Sequence, residues 1–319
     1  MVALFLFLIA CVDPDAPVVP GDDTPIIFEV PKGATGNGIG TKLVEQGLVP
    51  NAWTWKLFLR SADASCLKAG KFELKRSMSL KTLLKTLCAA PIADEVPFAV
   101  LEGWRIRDID EALAATGRMK AGEYAKLAKT KAVDMPFEVP FATLEGFLYP
   151  ETYSIPAQGA IDPKKLIERQ LSMFQTRFLN VHPDLGERTL GEIVVMASML
   201  EREEPKPSQR PIVAGILWKR IDHDWNLGVD ATSRYPLKKW NDRKAFLKKL
   251  RDESEPYNTR LRKGLPPGPI GNPSIESLEA AMNPVSTEFW YYLHDGSGTL
   301  HPARNAAGHE ANRKKFDVY

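Results

Sequence analysis

Cysteine is scarce in this chain. Three occur in 319 residues, at Cys11, Cys66 and Cys88. No Cys or His pair has the spacing of a zinc site. A dense disulfide scaffold and a zinc module are therefore excluded. The five histidines (His182, His223, His294, His301 and His309) show no catalytic or metal spacing, and neither metal nor cofactor is expected. An excess of either charge is also missing. Lys and Arg number 42 against 40 Asp and Glu, a formal net charge of +2. That balance gives no electrostatic case for a nucleic-acid partner, which demands a basic face. A full membrane span is lacking too. The most apolar stretch, Val2 to Val12, would reach about 16 Å as a helix, roughly half a bilayer's hydrocarbon core. What remains is ordinary for a folded chain. The hydrophobic fraction is 44%, and the length leaves room for two or three domains.

The apolar stretch reads as the hydrophobic region of a secretion signal. Leu8-Ile9-Ala10-Cys11 resembles a bacterial lipobox, in which the Cys becomes lipidated. No Lys or Arg precedes it. A lipid on Cys11 and a shortened membrane anchor both stay open. Either predicts an exported chain in the cell envelope, tied to the membrane through its N-terminus, with its folded part outside the cytoplasm. The Asp- and Pro-rich segment that follows reads as a linker, so residues 1–23 form anchor and linker. With Cys11 set aside, Cys66 and Cys88 form either a disulfide in an oxidising compartment or two separate buried thiols.

The pattern beyond is α+β. Ile26 to Val30 and Gly70 to Leu74 read as strands. Between them, Ile39, Leu43, Val44 and Leu48 fall on one helical face, and Trp53 to Leu59 suggest a second helix. Leu80, Leu83, Leu84 and Leu87 make a last amphipathic helix. Strand, helix, helix, strand is the outline of a LysM-like module, which elsewhere binds N-acetylglucosamine polymers. The small domain is set at 24–92. The larger mixed α+β domain, 93–319, includes a subdomain at 93–158. Within it, helices are predicted over Ile106 to Ala115, Ala121 to Ala132, Pro163 to Asn180 and Leu190 to Glu204. Leu101-Glu102-Gly103-Trp104 is echoed by Leu144-Glu145-Gly146-Phe147, a repeated strand-to-turn device.

Thr189-Leu190-Gly191-Glu192 is a capping box that opens an apolar helix. Val194, Ala197, Ser198 and Glu201 share one of its faces. Glu201 thus sits at the margin of a buried helix, beside small residues. Burial and the negative end of the helix both favour its protonated form, as a general acid requires. Arg202 or Lys206 would oppose this if either approached.

Several later segments, taken in order, carry a resemblance. Ala197-Ser198-Met199-Leu200-Glu201-Arg202-Glu203 resembles an Ala-Ser-Ile-Val-Glu-Lys-Glu stretch. Leu144 to Tyr153 resembles Glu-Gly-Phe-Leu-Phe-Pro-Asp-Thr-Tyr. Asp230-Ala231-Thr232, Pro256-Tyr257-Asn258-Thr259, the run Gly264 to Pro273 and Trp290 to Gly296 follow. All belong to the pattern of the MltG or YceG-like endolytic murein transglycosylases, and the order holds from about Ile26 to Phe316. Arg260, Val229 and Pro302-Ala303 depart from it and bear on subsite preference.

The resemblance implies a membrane anchor, a LysM-like domain and a catalytic domain with Glu201 as acid/base. The implied reaction cuts the β-1,4 bond between N-acetylmuramic acid and N-acetylglucosamine, leaving a 1,6-anhydro end. Peptidoglycan strands are then the substrate, and cell-wall synthases are neighbours. Substrate contacts are expected from Glu145, Tyr149, Glu151, Tyr153, Ser198, Asp230, Tyr257 and Asn258. For Asp230 a turn or capping role is the alternative. For Glu145 it is a hydrogen bond closing the turn, and for Tyr257 and Asn258 a loop packed by its own side chains. A second carboxylate from Asp230, Glu145 or Glu151 would make a hydrolase instead.

Overall fold

The computed structural model describes residues 13–318. The lipidation expected at Cys11, and the apolar stretch before it, lie outside the described residues. Among the described residues no helix is long and apolar enough to cross a membrane. The chain divides into two compact units, the first ending at Val96 and the second beginning at Pro97.

The first unit runs β1 (Ile26–Val30), α1 (Gly36–Glu45), α2 (Ala52–Ser61), β2 (Gly70–Leu74) and α3 (Leu80–Cys88). β1 and β2 pair antiparallel, Ile26 opposite Leu74 and Val30 opposite Gly70. Strand alternation turns Phe28, Val30, Phe72 and Leu74 inward. Thr35, Asn51 and Ser79 cap the three helices through their side-chain oxygens, a reason these segments start where they do. Ile39 and Leu43 are buried as the helical spacing predicts, with Val44 only partly buried, whereas Leu48 lies past the end of α1 and is buried from the turn that follows, with Trp55 in the same core. Gly40 admits the Trp55 ring so closely that a Cβ there would lie 2.5 Å from it. Trp53 is 59% exposed and belongs to the outer face of α2.

Cys66 and Cys88 are joined in a disulfide, with Cα atoms 5.0 Å apart. It ties the end of α3 to the loop before β2. The segment expected as a free linker is instead laid along this unit. Val19 N donates to Arg76 O, Ser77 N to Asp22 O and Lys81 N to Pro14 O, and Asp22 pairs with Arg76. Its prolines and aspartates spare or satisfy backbone donors, so it docks without forming a strand.

The second unit is mostly helical. Its elements are β3 (Glu95–Ala99), α4 (Ile106–Ala115), α5 (Glu123–Thr130), β4 (Thr152–Pro156), α6 (Pro163–Phe174) and α7 (Leu190–Glu203). They continue with α8 (Arg210–Asp222), α9 (Asp230–Arg234), α10 (Arg243–Lys249), α11 (Ile275–Met282), β5 (Tyr291–His294), β6 (Leu300–Ala303) and α12 (Ala306–Lys315). β3 pairs with β4 and β5 with β6, so each sheet is only a two-stranded ribbon.

Helix α5 is shorter than the apolar pattern suggests. Gly122 at φ 89° and Lys131 at φ 54° are left-handed and end it on both sides. The pattern predicted over Pro163 to Asn180 holds as a helix to Phe174 and continues as a π-helical turn to Leu179.

Helix α7 is the core of this unit. Every residue from Ile193 to Leu200 is buried. Each such large side chain contributes about 1.5–3 kcal/mol over its exposed state. The predicted capping box forms, with Thr189 Oγ1 accepting from Glu192 N and Glu192 Oε2 accepting from Thr189 N. α8 and α11 pack against α7. The helix stops at Glu203, just before Pro205, and so delivers its last carboxylates to a defined place.

Candidate active site

Three carboxylates leave the end of α7 in different directions. Glu203 is half-buried, and its Oε1 accepts from Ala231 N (3.2 Å) while its Oε2 accepts from the Tyr292 hydroxyl (3.3 Å). Burial raises its pKa. Glu204 is fully buried and meets His294 Nε2 at 2.8 Å. These two fasten α9 and β5 to the end of α7. Glu201 points to a third side, toward α8 and α11.

Its side chain is 5% exposed and forms a buried ion pair with Arg210, itself 4% exposed. Arg210 Nη2 donates to Glu201 Oε1 (2.9 Å) and Nη1 to Oε2 (3.2 Å). Ser274 donates twice to Oε2, through its backbone N (2.9 Å) and its hydroxyl (2.6 Å). Arg210 Nη1 also donates to Ser274 Oγ (2.8 Å), which closes the cluster. Ser274 is the N-cap of α11, whose positive end therefore faces the carboxylate.

The sequence pattern placed Glu201 against the negative end of its own helix, with Arg202 and Lys206 as the cations that mattered. The structure corrects this. Arg202 turns away and stacks its guanidinium 3.7 Å from the Trp240 ring centroid, and Lys206 reaches Thr299. The carboxylate is instead held by a second helix's arginine and a third helix's cap. Every partner donates, the set that an ionised carboxylate accepts.

Arg210, Ser274 and Asn272 were missed from the sequence. One signal for Arg210 was legible. A cation in the first turn of a helix opposes the helix dipole, so a buried arginine there calls for a carboxylate partner.

Asn272 organises the echoed turns. It is fully buried. Its Oδ1 accepts from Gly146 N (2.9 Å) and Leu148 N (3.0 Å), and its Nδ2 donates to Trp104 O (2.8 Å). Its backbone oxygen accepts from Gly103 N (2.7 Å). Gly103 and Gly146 are left-handed, at φ 73° and 89°, which only glycine adopts at no cost. The run Gly264 to Pro273 thus lies between both turns and α7. Ser198 joins it there, accepting from Ile270 N (3.0 Å) and donating to Val195 O. At 1% exposure Ser198 is a fastening inside the wall.

Glu145 is 4% exposed. It accepts from Ile106 N (2.9 Å) and from the Tyr235 hydroxyl (3.1 Å). It therefore caps α4 and ties the second turn to the loop after α9. Burial pushes its pKa up to about 7, against those two donors and Arg105. Tyr235 in turn lies 4.7 Å from Tyr257, centroid to centroid.

The remaining expected contacts separate into two groups. Tyr149 and Glu151 line a cleft of about 510 Å³ together with Glu102, Ser274 and Glu276. Asp230 is half-exposed and pairs with Arg260, the residue that departs from the family pattern. Thr232 and Thr259 meet at 3.0 Å, so the Asp-Ala-Thr and Tyr-Asn-Thr segments are one substructure. By contrast, Tyr153 is buried with its hydroxyl on Tyr149 O (2.7 Å). Asn258 is fully buried, with Nδ2 donating to three backbone oxygens and Oδ1 accepting from Arg260 N. Both have spent their polar atoms on the protein and build the wall. Among the described residues no cluster of metal-ligating side chains occurs.

A family model described as the YceG-like family matches residues 28–315. The chain is 26% identical over 315 residues to a Streptococcus pneumoniae protein named endolytic murein transglycosylase, covering 89% of this chain and 57% of that one. It is 25% identical over 316 residues to a Bacillus subtilis protein of the same name, covering 94% and 87%. The chain thus spans a little over half the length of the pneumococcal relative. A solved yceG-like protein from Listeria monocytogenes superposes with a TM-score of 0.59 at 24% identity, over 91% of this chain and 99% of that one. It shares the fold.

Proposed function

The chain belongs to the YceG-like family, and from that premise we propose that it is an endolytic peptidoglycan transglycosylase that acts through Glu201. Two relatives carrying the name endolytic murein transglycosylase support the activity. The observation that carries the residue is the grip on Glu201, where Arg210 and Ser274 fix a nearly buried carboxylate beside an acid-lined cleft.

The reaction breaks the bond between C1 of N-acetylmuramic acid and O4 of N-acetylglucosamine. The leaving oxygen gains a proton as C1 becomes oxocarbenium-like. The 6-hydroxyl of the same muramic acid then attacks C1, and its proton passes to a carboxylate. The product carries a 1,6-anhydro ring. An intramolecular nucleophile makes orientation a large part of the rate. A nearly dry carboxylate limits competing attack by water.

The first unit is read as a LysM-like glycan-binding domain, on the strength of its strand-helix-helix-strand order and paired β1 and β2. The reading places the protein at the membrane, outside the cytoplasm, next to cell-wall synthases, with a role in ending nascent strands.

The test is mass spectrometry of uncrosslinked glycan strands after incubation with wild type and with Glu201→Gln. Wild type is expected to yield anhydro ends, one water lighter than hydrolysed ends, and the variant none. Reducing ends from wild type would make the protein a hydrolase. Binding without cutting would make it a tether.

A further inference from the structure

Glu102 has no role in the fold. Its side chain is exposed in the cleft that Ser274 closes, and no ion pair or hydrogen bond engages its carboxylate among the described residues. It is placed by the first of the echoed turns. Gly103 is clamped to Asn272 and pressed on the end of α7, so that a Cβ there would lie 2.9 Å from Arg202 Cδ and 3.5 Å from Glu201 Cγ. The next residue back along the chain therefore presents its carboxylate at the rim of the Glu201 cluster.

Glu201 itself is engaged only as an acceptor. A carboxylate oxygen offers about two lone pairs. Oε2 already accepts from Arg210, from Ser274 N and from the Ser274 hydroxyl. Oε1 accepts only from Arg210. A proton on Oε2 would displace a donor, whereas Oε1 keeps room to accept one more. The arrangement suits a group that receives a proton. The leaving oxygen needs one from elsewhere.

We propose that Glu102 is a second catalytic carboxylate, delivering the proton to the leaving oxygen while Glu201 receives the proton of the 6-hydroxyl. This rests on the transglycosylase reading above. The step balances. The carboxylic acid of Glu102 transfers its proton to O4 as the C1–O4 bond breaks. The 6-oxygen forms the new bond to C1 and gives its proton to Glu201. One proton returning from Glu201 to Glu102 resets the site, with no net consumption and no redox change.

The surroundings agree. Crowding by the protein and then the charges of Glu201 and Glu276 raise the pKa of Glu102, with Arg210 opposing. Tyr149, from before β4, also faces the cleft, as does Glu151. Raised proton affinity favours the protonated form that a general acid needs.

The experiment measures kcat/KM against pH on uncrosslinked glycan strands for wild type, Glu102→Gln, Glu102→Asp and Glu201→Gln. Glu102→Gln is expected to lose about 100- to 10,000-fold, the usual worth of a general acid, and to lose the fall in rate on the alkaline side. Glu102→Asp is expected to recover much of the rate and to retain that fall. Because the side chain is exposed and unpaired, the variants should fold, which circular dichroism checks. Wild-type rate with an unchanged alkaline limb in Glu102→Gln overturns the proposal. A uniform loss in both Glu102 variants with an unchanged limb also overturns it. An active Glu201→Gln would instead sink the reading of the site on which it rests.

Discussion

Replacing Glu145 by Gln should change how stability depends on pH. The carboxyl is 4% exposed, and its pKa is raised from an ordinary 4.5 to about 7, chiefly by burial. Below about pH 4.5 the group is protonated in both folded and unfolded chains, and it costs nothing. Between 4.5 and 7 the unfolded chain releases a proton that the folded chain keeps. Stability therefore falls as pH rises through that window and levels off above it. At about 1.4 kcal/mol per tenfold change, the fall amounts to about 3 kcal/mol. Gln keeps an oxygen for Ile106 N and carries no charge at any pH. The variant should match wild type near pH 4.5 and exceed it by up to about 3 kcal/mol at pH 8. Urea unfolding at several pH values, following the transition of the larger unit, measures this. Parallel stability curves for the two proteins, whatever their offset, would show that the buried carboxyl is not what titrates.

Asn272→Ala strips the echoed turns of their clamp. It leaves Gly146 N and Leu148 N without partners in a fully buried place, while Trp104 O keeps only the backbone N of residue 272. A loss of about 3 kcal/mol or more is expected. Asn272→Asp, which restores the acceptors alone, should recover part of it, and a loss near zero in urea unfolding would refute the clamp. The disulfide acts only on the first unit. Its sequence separation of 22 corresponds to about 3 kcal/mol of loop entropy. Calorimetry of Cys66→Ser with Cys88→Ser should show the smaller unit melting earlier and the larger unit's transition in place. An unmoved first transition would contradict this.

Much of the second unit was legible because its signals are local. The capping box at Thr189 and Glu192, the apolar run to Leu200 and the stop before Pro205 fix α7 without help from other elements. The echo of Leu-Glu-Gly-aromatic was visible as four residues. Its meaning was not, because Asn272, the residue that joins the turns, lies more than a hundred positions from either. Tyr153 and Asn258 matched the family's pattern and were expected at the substrate. Strand alternation and loop geometry turned both inward, where buried polar atoms must be paired within the protein. The linker expectation failed for a similar reason. Proline and aspartate report that a segment makes no regular element, not whether it lies free.

The sequence by itself determined the helices and their apolar faces, the order of the motifs, and that Glu201 would stand at the edge of a buried helix. Helical period and capping depend on neighbours within a few residues, so these features need no knowledge of the fold. Only the tertiary structure decided what surrounds that carboxylate. Arg210 and Ser274 reach it from two other helices, and Glu102 comes to its rim on a turn clamped from far along the chain. The charge state and the task of a buried group are set by the donors and charges within a few ångströms, and packing alone chooses those neighbours.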